Sequence, residues 1–419
     1  MDRAGVKLQS DDGLRGAQAL DERRDRRARE PQASARVIAA GGRPDRLERL
    51  PQQYFTALLG RVSAEAAKDG EPLVNFGRGN PEVGPPAHVI EAAQRAVADE
   101  RSHGYPEFRG MPELKEAVAA RYRDVYGVEL HPGSEVAVVP GTKTALVELC
   151  LVLAEHGERV LLPDPGYPDY TSGVALAGAE LCTLPLEAPE WAPDFDAAGT
   201  ARVAYLNYPS NPCAVAAQPG VFASAVAWAE RHGAAIVHDF AYGDLVFDGR
   251  APESFLATDG AKQVGVEMFS MSKSYGMAGW RLGFVVGNPE IVERINLLQD
   301  HNRAGVFRGV QEAGLAALTG PQASVEERRA RYEERRDRVL AALTVPAVSE
   351  GTFYVWFRLP DDVRAEQLLT EHRLALAPGD GFGSHGAGWA RISLAVTDDV
   401  FELGLARLVQ ALAGKTVTR

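Results

Sequence analysis

Six short stretches of almost unbroken apolar residues predict buried β-strands in the first two thirds of the chain. They are residues 135–140, 159–164, 201–209, 234–240, 266–272 and 282–287. Because apolar and polar residues do not alternate within them, we expect both faces of each strand to be covered. Helical stretches lie between them, such as 142–156, whose apolar residues fall on one face before Gly157 ends the helix. Alternating strands and helices predict an α/β fold with a mainly parallel central sheet.

After about residue 290 the hydrophobic pattern changes. A long charged helix at 324–344 leads to short strands at 352–359 and 390–396 and to a last helix that ends near residue 413. This order predicts a second, smaller α+β domain. We expect five parts: an N-terminal extension at 1–46, a segment at 47–80 that packs with the small domain, a large α/β domain at 81–290, a connecting helical region at 291–323 and the small domain at 324–419.

The composition limits the classes of function. Among 419 residues, 45 Lys and Arg oppose 57 Asp and Glu, so the net charge is −12 and we expect no binding to nucleic acid or to an anionic membrane. The chain has no apolar run of about 18 residues, so we expect no membrane span. Only Cys150, Cys182 and Cys213 occur, which predicts neither a disulfide framework nor a metal site and suits the cytoplasm. The charged, aromatic-poor residues 1–46 predict a disordered extension.

Residues that suit covalent and phosphate chemistry follow one of the predicted strands. Lys273 stands between two serines directly after the strand at 266–272, and Arg281 comes eight residues later. A lysine whose pKa is lowered by burial or by a neighbouring cation forms Schiff bases with carbonyl groups. Arginine and serine side chains are efficient partners of phosphate. The segment therefore indicates a reactive amine beside a phosphate site.

Polar groups also follow the neighbouring predicted strands, and ligands of parallel sheets lie at these strand ends. Asp239 either caps the next turn or pairs with a cationic ring nitrogen, and Tyr242 would then contact a phenolate oxygen. Asn211 lies in an Asn-Pro turn, the turn at 141–143 opens a helix and can bind an anion, and Tyr167 either packs in its loop or stacks on a ring. Together these groups predict one ligand, pyridoxal 5'-phosphate (PLP).

The order of these motifs, with "HGYPEFRGMPELKEAV" at 103–118 and "WARISLAV" at 389–396, resembles the class I/II aminotransferase family over about residues 47–412. The resemblance implies the fold-type I architecture of PLP-dependent transferases, with a large domain whose mostly parallel sheet lies between helices, and a smaller α+β domain. It implies catalytic residues Lys273, Asp239 and Tyr242; cofactor-binding residues Gly141, Thr142, Lys143, Tyr167, Asn211, Asp239, Tyr242, Ser270, Ser272, Lys273, Arg281 and Tyr105; and substrate-binding residues Gly79, Asn211 and Arg391.

The resemblance also implies what each group does. Lys273 would hold the cofactor covalently, Asp239 would face its ring nitrogen and Arg391 would bind the substrate carboxylate. Tyr105 would reach the phosphate of a neighbouring subunit, which implies a homodimer with shared active sites. The implied activity is transfer of an amino group between an α-amino acid and a 2-oxo acid by a ping-pong mechanism, in cytoplasmic amino acid metabolism.

The substrate remains open at the level of sequence. Segments such as "GRGNPEVGPP" at 77–86 are most similar to bacterial aminotransferases of the methionine-salvage type, which convert 4-methylthio-2-oxobutanoate to methionine. Arg78 either favours an acidic or polar substrate or is a solvated surface charge. His301, Arg303 and Arg308 lie where a partner-subunit loop approaches the site in this family, and one of them is expected to contact phosphate or substrate.

The sequence also allows three alternatives to the predicted function. The enzyme could act on a dicarboxylic, alanine-like or aromatic amino acid. It could be a PLP-dependent lyase, decarboxylase or synthase, because the same scaffold supports cleavage of other bonds at the α-carbon. A non-catalytic PLP-binding regulator is disfavoured, because residues 1–46 are too short and polar to form a helix-turn-helix domain.

Overall fold

The structure is a computed structural model that describes residues 44–68 and 72–415. The described chain opens with α1 (Asp45–Glu48), α2 (Tyr54–Ala66), β1 (Val74–Asn75), α3 (Ala87–Ala98), a 3₁₀-helix (Glu100–Ser102) and α4 (Pro112–Tyr126). Residues 1–43 of the predicted disordered extension lie outside the described residues.

Eight strands form the central sheet. They are β2 (Val136–Val139), β3 (Arg159–Asp164), β4 (Glu180–Glu187), β5 (Ala192–Pro193), β6 (Val203–Asn207), β7 (Ala235–Asp239), β8 (Gly265–Ser270) and β9 (Gly283–Gly287). Their order is β2-β9-β8-β7-β6-β3-β4-β5. The pairs β3–β4, β3–β6, β6–β7 and β7–β8 are parallel. All six predicted strands are present, and the predicted α/β fold with a mostly parallel sheet is confirmed.

Helices cover both faces of this sheet. They are α5 (Thr142–Leu153), α6 (Tyr170–Ala177), α7 (Val221–His232), α8 (Ala261–Val264), α9 (Met271–Ser274), α10 (Pro289–Asn302) and α11 (Arg308–Thr319), with 3₁₀-helices at Phe255–Ala257 and Ala278–Trp280. In β2, Val136 and Val138 belong to one apolar cluster, whereas Ala137 and Val139 belong to a second cluster. Successive side chains of a strand point to opposite faces, so both faces are buried, which is why these strands have no polar alternation.

The rest of the chain forms a smaller antiparallel sheet with its own helices. Its elements are α12 (Ala323–Ala342), β10 (Ala347–Val348), β11 (Tyr354–Arg358), α13 (Ala365–Glu371), β12 (Leu374–Ala375), β13 (Ala377–Pro378), two 3₁₀-helices (Gly379–Phe382 and Ser384–Gly386), β14 (Trp389–Ser393) and α14 (Asp398–Leu412). The sheet order is β10-β11-β14-β13. β1 pairs with β12, and the Tyr54 hydroxyl donates to the Pro378 carbonyl at 2.9 Å. The segment before the central sheet therefore contacts this C-terminal part.

Two features of the central sheet were not predicted. β9 runs antiparallel to both β2 and β8. β4 lies toward the edge of the sheet, and only Leu184 and Leu186 of its residues are buried. Exposed and buried positions therefore alternate from Thr183 to Glu187, unlike the continuous burial of the predicted strands. None of the described helices is long and apolar enough to cross a membrane.

Candidate active site

A cavity of about 420 Å³ lies at the carboxyl ends of β6, β7 and β8. Twelve of the residues predicted for the site line it: Gly79, Thr142, Lys143, Tyr167, Asn211, Asp239, Tyr242, Ser270, Ser272, Lys273, Arg281 and Arg391. They come from the ends of strands and the loops that follow them, from the first turn of α5, from α9, and from β14 of the smaller sheet. A larger cavity of about 790 Å³ lies between α2 and α13 and is lined by none of the predicted residues.

Lys273 lies in the short helix α9, directly after β8. Ser270 ends the strand, and its hydroxyl oxygen accepts a hydrogen bond from the Ser272 amide at 3.2 Å, which starts the helix. The Lys273 ammonium donates to the Gly79 carbonyl at 3.4 Å. Burial lowers the pKa of Lys273 to about 8, and the nearby charges of Arg391 and Arg281 act in the same direction. The amine is therefore more nucleophilic near neutral pH than an ordinary lysine.

Asp239 is the last residue of β7, and only 6% of its surface is exposed. Its Oδ2 accepts a hydrogen bond from the Tyr170 hydroxyl at 2.9 Å, and its Oδ1 accepts one from the Ala241 amide at 3.2 Å. Burial raises the pKa of Asp239, and these two hydrogen bonds oppose that rise. No cation of the described residues forms an ion pair with this carboxylate. A buried carboxylate of this kind suits a cationic ligand group.

The cavity has a cationic end built around the first turn of α5. Gly141 precedes this helix with φ of +82°, and a Cβ placed on it would lie 2.2 Å from Arg281 Nη2. Arg281 is thus packed against Gly141 at the start of α5, and Ser270 and Ser272 line the same cavity. The Lys143 ammonium lies 2.7 Å from Asp169 Oδ2, so an acid already neutralises this charge. Arg281 Nη1 donates to the Ala278 carbonyl at 2.8 Å, and among the described residues Arg281 has no acidic partner. Helix amides, hydroxyls and this guanidinium suit a phosphate group.

The opposite end of the cavity contains Arg391, whose side chain is fully buried. Its Nη2 donates to the Gly77 carbonyl at 3.1 Å, and its guanidinium carbon lies 3.9 Å from the centre of the Tyr354 ring. Within the described part of the chain Arg391 has no acidic partner, and its Nε has no hydrogen-bond acceptor. A planar cation held in this way is suited to bind a carboxylate.

Tyr242 and Tyr354 are joined at their hydroxyl groups, whose oxygens lie 3.1 Å apart. Burial raises the pKa of Tyr242 well above its usual value, so its hydroxyl stays protonated and can donate to a ligand. Sequence reasoning missed Tyr354, which also lines the cavity. It missed Tyr170 as well, although "YPDY" places Tyr170 three residues after Tyr167, across the turn that leads into α6. That spacing was the available signal.

Several residues singled out from the sequence lie elsewhere. Tyr105 is 87% exposed and is not part of the cavity lining. Arg303 pairs with the buried Glu148, and Arg308 pairs with Glu312 at 3.2 Å. Neither arginine is among the residues that line the cavity. Arg78 does line the cavity and is exposed at its mouth. Among the described residues, no group of three or more His, Cys, Asp or Glu side chains is placed to hold a metal ion.

The fold and the cavity together define an α/β protein in which a lysine of lowered pKa, a buried carboxylate and two arginines line one cavity at the carboxyl ends of parallel strands. The family model for aminotransferase class I and II matches residues 71–408, and the chain belongs to this family. The family is PLP-dependent, and its members transfer amino groups between amino acids and 2-oxo acids. The predictions of the family, of the fold type and of a transaminase are confirmed.

Two curated relatives from Bacillus subtilis (strain 168) match most of the chain. L-glutamine--4-(methylsulfanyl)-2-oxobutanoate aminotransferase is 43% identical over 84% of this chain and 92% of its own length. Transaminase BacF is 40% identical over 84% of this chain and 91% of its own length. The solved structure of substrate-bound BacF superposes with a TM-score of 0.84 at 36% identity, over 88% of this chain and 98% of that chain. An LL-diaminopimelate aminotransferase of Desulforudis audaxviator (strain MP104C) is 38% identical, over 88% of this chain and 95% of its own length.

Proposed function

We propose that this transaminase holds PLP in the 420 Å³ cavity, with Lys273 as the residue that bonds to it. One observation supports this proposal above all: Lys273, Asp239 and Arg391 line the same cavity, and none of them pairs with an oppositely charged side chain in the described part of the chain. Three such charges are costly unless a ligand with complementary groups is present. When bound, PLP supplies an amine-reactive carbonyl and an electron-accepting ring.

Each predicted residue that lines the cavity then has a role in holding the cofactor or the substrate. Asp239 faces the ring nitrogen, and Tyr167 stacks on the ring. Asn211 and Tyr242 donate to the ring oxygen, and Ser270, Ser272, Arg281 and the first turn of α5 bind the phosphate. When the substrate amine takes the place of Lys273 on the cofactor, Lys273 Nζ would be released as a free amine that accepts the proton from the substrate α-carbon and returns a proton afterwards. Arg391 binds the substrate carboxylate beside Gly79, and this holds the α-carbon within reach of Lys273.

We propose methionine and 4-methylthio-2-oxobutanoate as one substrate pair. Phe55, Leu58 and Leu59 of α2 form an apolar wall of the cavity, and an uncharged thioether chain suits such a wall. The 43% identical relative carries 4-(methylsulfanyl)-2-oxobutanoate in its name, which supports the same choice. The apolar wall does not suit a carboxylate, so we place an acidic substrate second. Arg78 at the cavity mouth is the observation that favours that second candidate.

We further propose a cytoplasmic homodimer. Tyr105, Phe108 and Phe307 are exposed, and the Tyr105 and Phe108 rings lie 6.4 Å apart. Gly305, two residues before Phe307 in the same loop, packs against the backbone of Phe108. The three aromatic side chains thus lie on adjacent loops and form an apolar surface of the kind found at subunit interfaces. Tyr105 would then reach the phosphate of the neighbouring active site. Sedimentation velocity of the wild-type protein and of the Phe307→Glu variant tests whether the protein is a dimer and whether this surface forms it.

The substrate proposal is tested with a panel of amino donors. Glutamine, methionine, glutamate and LL-diaminopimelate are each paired with 4-methylthio-2-oxobutanoate, pyruvate or 2-oxoglutarate, and the products are identified by mass spectrometry. We expect the highest kcat/KM with 4-methylthio-2-oxobutanoate as acceptor. A preference for glutamate or LL-diaminopimelate that Arg78→Gln abolishes would instead support the second candidate. Product formation without any 2-oxo acid acceptor would contradict a transaminase.

A further inference from the structure

The carboxylate of Asp239 depends on one side-chain donor. Its Oδ2 accepts a hydrogen bond from the Tyr170 hydroxyl at 2.9 Å. Its Oδ1 accepts one from the backbone amide of Ala241 at 3.2 Å, two residues further along the chain. In the part of the chain that the structure describes, Tyr170 makes the only hydrogen bond from a side chain to this carboxylate. The remaining lone pairs of Asp239 are available to a ligand in the cavity.

Tyr170 is held rigidly in this position. It is the first residue of α6, only 3% of its surface is exposed, and its amide donates to the Tyr167 carbonyl at 3.1 Å. Its ring packs against the rings of Tyr167 and Tyr205, with centroids 5.6 Å away in each case. Burial raises the pKa of Tyr170 well above its usual value, so the hydroxyl stays a donor over the physiological range. One loop thus supplies both the predicted ring-stacking residue and the partner of the acid.

The buried acid needs such a partner. Burial favours the neutral form of a carboxyl group, and a neutral carboxyl group cannot pair with a cationic ring nitrogen. A hydrogen bond to the ionised form acts in the opposite direction, and it also fixes the rotation of the carboxylate. Of the groups that favour the ionised form of Asp239, Tyr170 has the largest effect, ahead of His238 and Lys273.

We propose that Tyr170 is a positioning residue that keeps Asp239 ionised and directs it toward the ring nitrogen of the cofactor. The inference rests on the proposed function, because it presumes that PLP occupies the cavity. Tyr170 acts through Asp239, and its effect is therefore confined to ligands that carry a basic ring nitrogen.

The test compares Tyr170→Phe with Tyr205→Phe. The Tyr205 hydroxyl is also buried in this cluster but donates to the Leu146 carbonyl at 2.9 Å, so its removal is a matched control without contact to Asp239. Each apoprotein is titrated with PLP and with an analogue that has C–H in place of the ring nitrogen. We expect the dissociation constant of PLP to rise roughly tenfold for Tyr170→Phe, the loss typical of a hydrogen bond to a charged group. The constant for the analogue should be unchanged, and Tyr205→Phe should shift neither constant.

Each other outcome overturns the proposal. Equal weakening of both ligands by Tyr170→Phe would mean that the hydroxyl only supports packing, and no weakening would mean that Asp239 does not need it. Tyr170→His, which retains an N–H donor, should recover most of the PLP affinity. If Tyr170→Phe fails to fold, Tyr170→Leu is compared with Tyr170→His. Loss of the preference for PLP over the analogue in Tyr170→Leu but not in Tyr170→His would then support the proposal. A wild-type protein that does not bind PLP overturns the proposed function and this inference together, whereas parallel behaviour of the two ligands overturns the inference alone.

Discussion

Arg391 Nη1 donates a hydrogen bond to Asn211 Oδ1 at 2.5 Å. Because the side-chain oxygen of Asn211 accepts this bond, its Nδ2 donor faces away from Arg391 and remains for another acceptor. The backbone of Asn211 is fixed as well, since its amide donates to Asn207 Oδ1 at 2.7 Å. This contact joins the arginine proposed for the substrate carboxylate to the amide proposed for the ring oxygen. Substrate binding and cofactor orientation therefore share one residue.

Replacement of Asn211 by Asp tests this link. The new carboxylate would form an ion pair with Arg391 and compete with the substrate carboxylate for the guanidinium. We expect KM for amino acid and 2-oxo acid substrates to rise by roughly 10- to 100-fold, the range that one to two lost charge-assisted hydrogen bonds produce. Steady-state kinetics with both substrates measure the change, and an unchanged KM for both would show that the Arg391–Asn211 contact has no role in substrate binding.

The close packing of Arg281 on Gly141 leads to a second prediction. Gly141→Ala would place a methyl group 2.2 Å from Arg281 Nη2, so the guanidinium must move out of the phosphate site. Gly220→Ala is the matched control, because Gly220 also precedes a helix with positive φ (+87°) and has open space at its Cβ position. Both variants should lower the melting temperature through backbone strain.

Of these two variants, only Gly141→Ala should weaken the binding of PLP. Titration of the two apoproteins followed by absorbance measures this, and we expect a rise of about tenfold or more in the dissociation constant for Gly141→Ala, typical of a lost charge-assisted phosphate contact. Equal PLP affinities of the two variants would show that the phosphate group does not bind beside Gly141 and Arg281.

The low pKa of Lys273 predicts how covalent attachment of PLP depends on pH. The neutral amine is the nucleophile, and burial with the charges of Arg391 and Arg281 lowers its pKa to about 8 in the ligand-free protein. Below pH 8 the attachment rate should fall about tenfold per pH unit, and above pH 8 it should reach a plateau. Stopped-flow absorbance of apoprotein mixed with PLP measures this profile.

Arg391→Gln is the informative variant for this profile. It removes a nearby positive charge, so the midpoint should move to higher pH. A wild-type rate that keeps rising to pH 10, as for an exposed lysine, would contradict the predicted environment of Lys273.

A buried ion pair supports the segment that carries Lys273. Arg121 pairs with Asp244, and it also donates to the Tyr275 hydroxyl at 3.0 Å, two residues after Lys273. Removal of one partner leaves a buried charge without compensation, so Asp244→Ala should lower the free energy of unfolding by about 3–5 kcal/mol. Glu402→Ala, which breaks the exposed pair with Arg338, is the control and should leave stability almost unchanged. Urea denaturation compares the two, and equal stability of both variants would contradict this role.

The sequence predicted the parts of the fold and site that local pattern determines. Strands buried on both faces have continuous apolar runs, and Asp239 and Lys273 were predicted because reactive residues of parallel sheets follow the strands. The partners of these residues depend on how distant segments meet. Tyr170 is 69 residues from Asp239, and Tyr354 is 112 residues from Tyr242. No local pattern encodes the contact of Tyr354 with Tyr242, whereas the spacing of Tyr170 from Tyr167 indicates only that Tyr170 lies near the site and not which residue it contacts.

The same limit applies to the charged residues after α10. Arg303 was a candidate for the active site, but in the folded chain it forms an ion pair with Glu148 of α5, which neutralises its charge. The boundaries proposed for the large domain at 81–290 and the small domain at 324–419 stay predictions, as does the role of Tyr105 in a neighbouring subunit.

Chemical trapping of the cofactor tests the central proposal most directly. The protein is loaded with PLP, reduced with borohydride and digested, and the modified lysine is located by mass spectrometry. We predict a single phosphopyridoxyl group on Lys273, which Lys273→Ala abolishes. Modification of Lys143, the other lysine that lines the cavity, or no modification at all, would contradict the assignment of Lys273 as the residue that holds the cofactor.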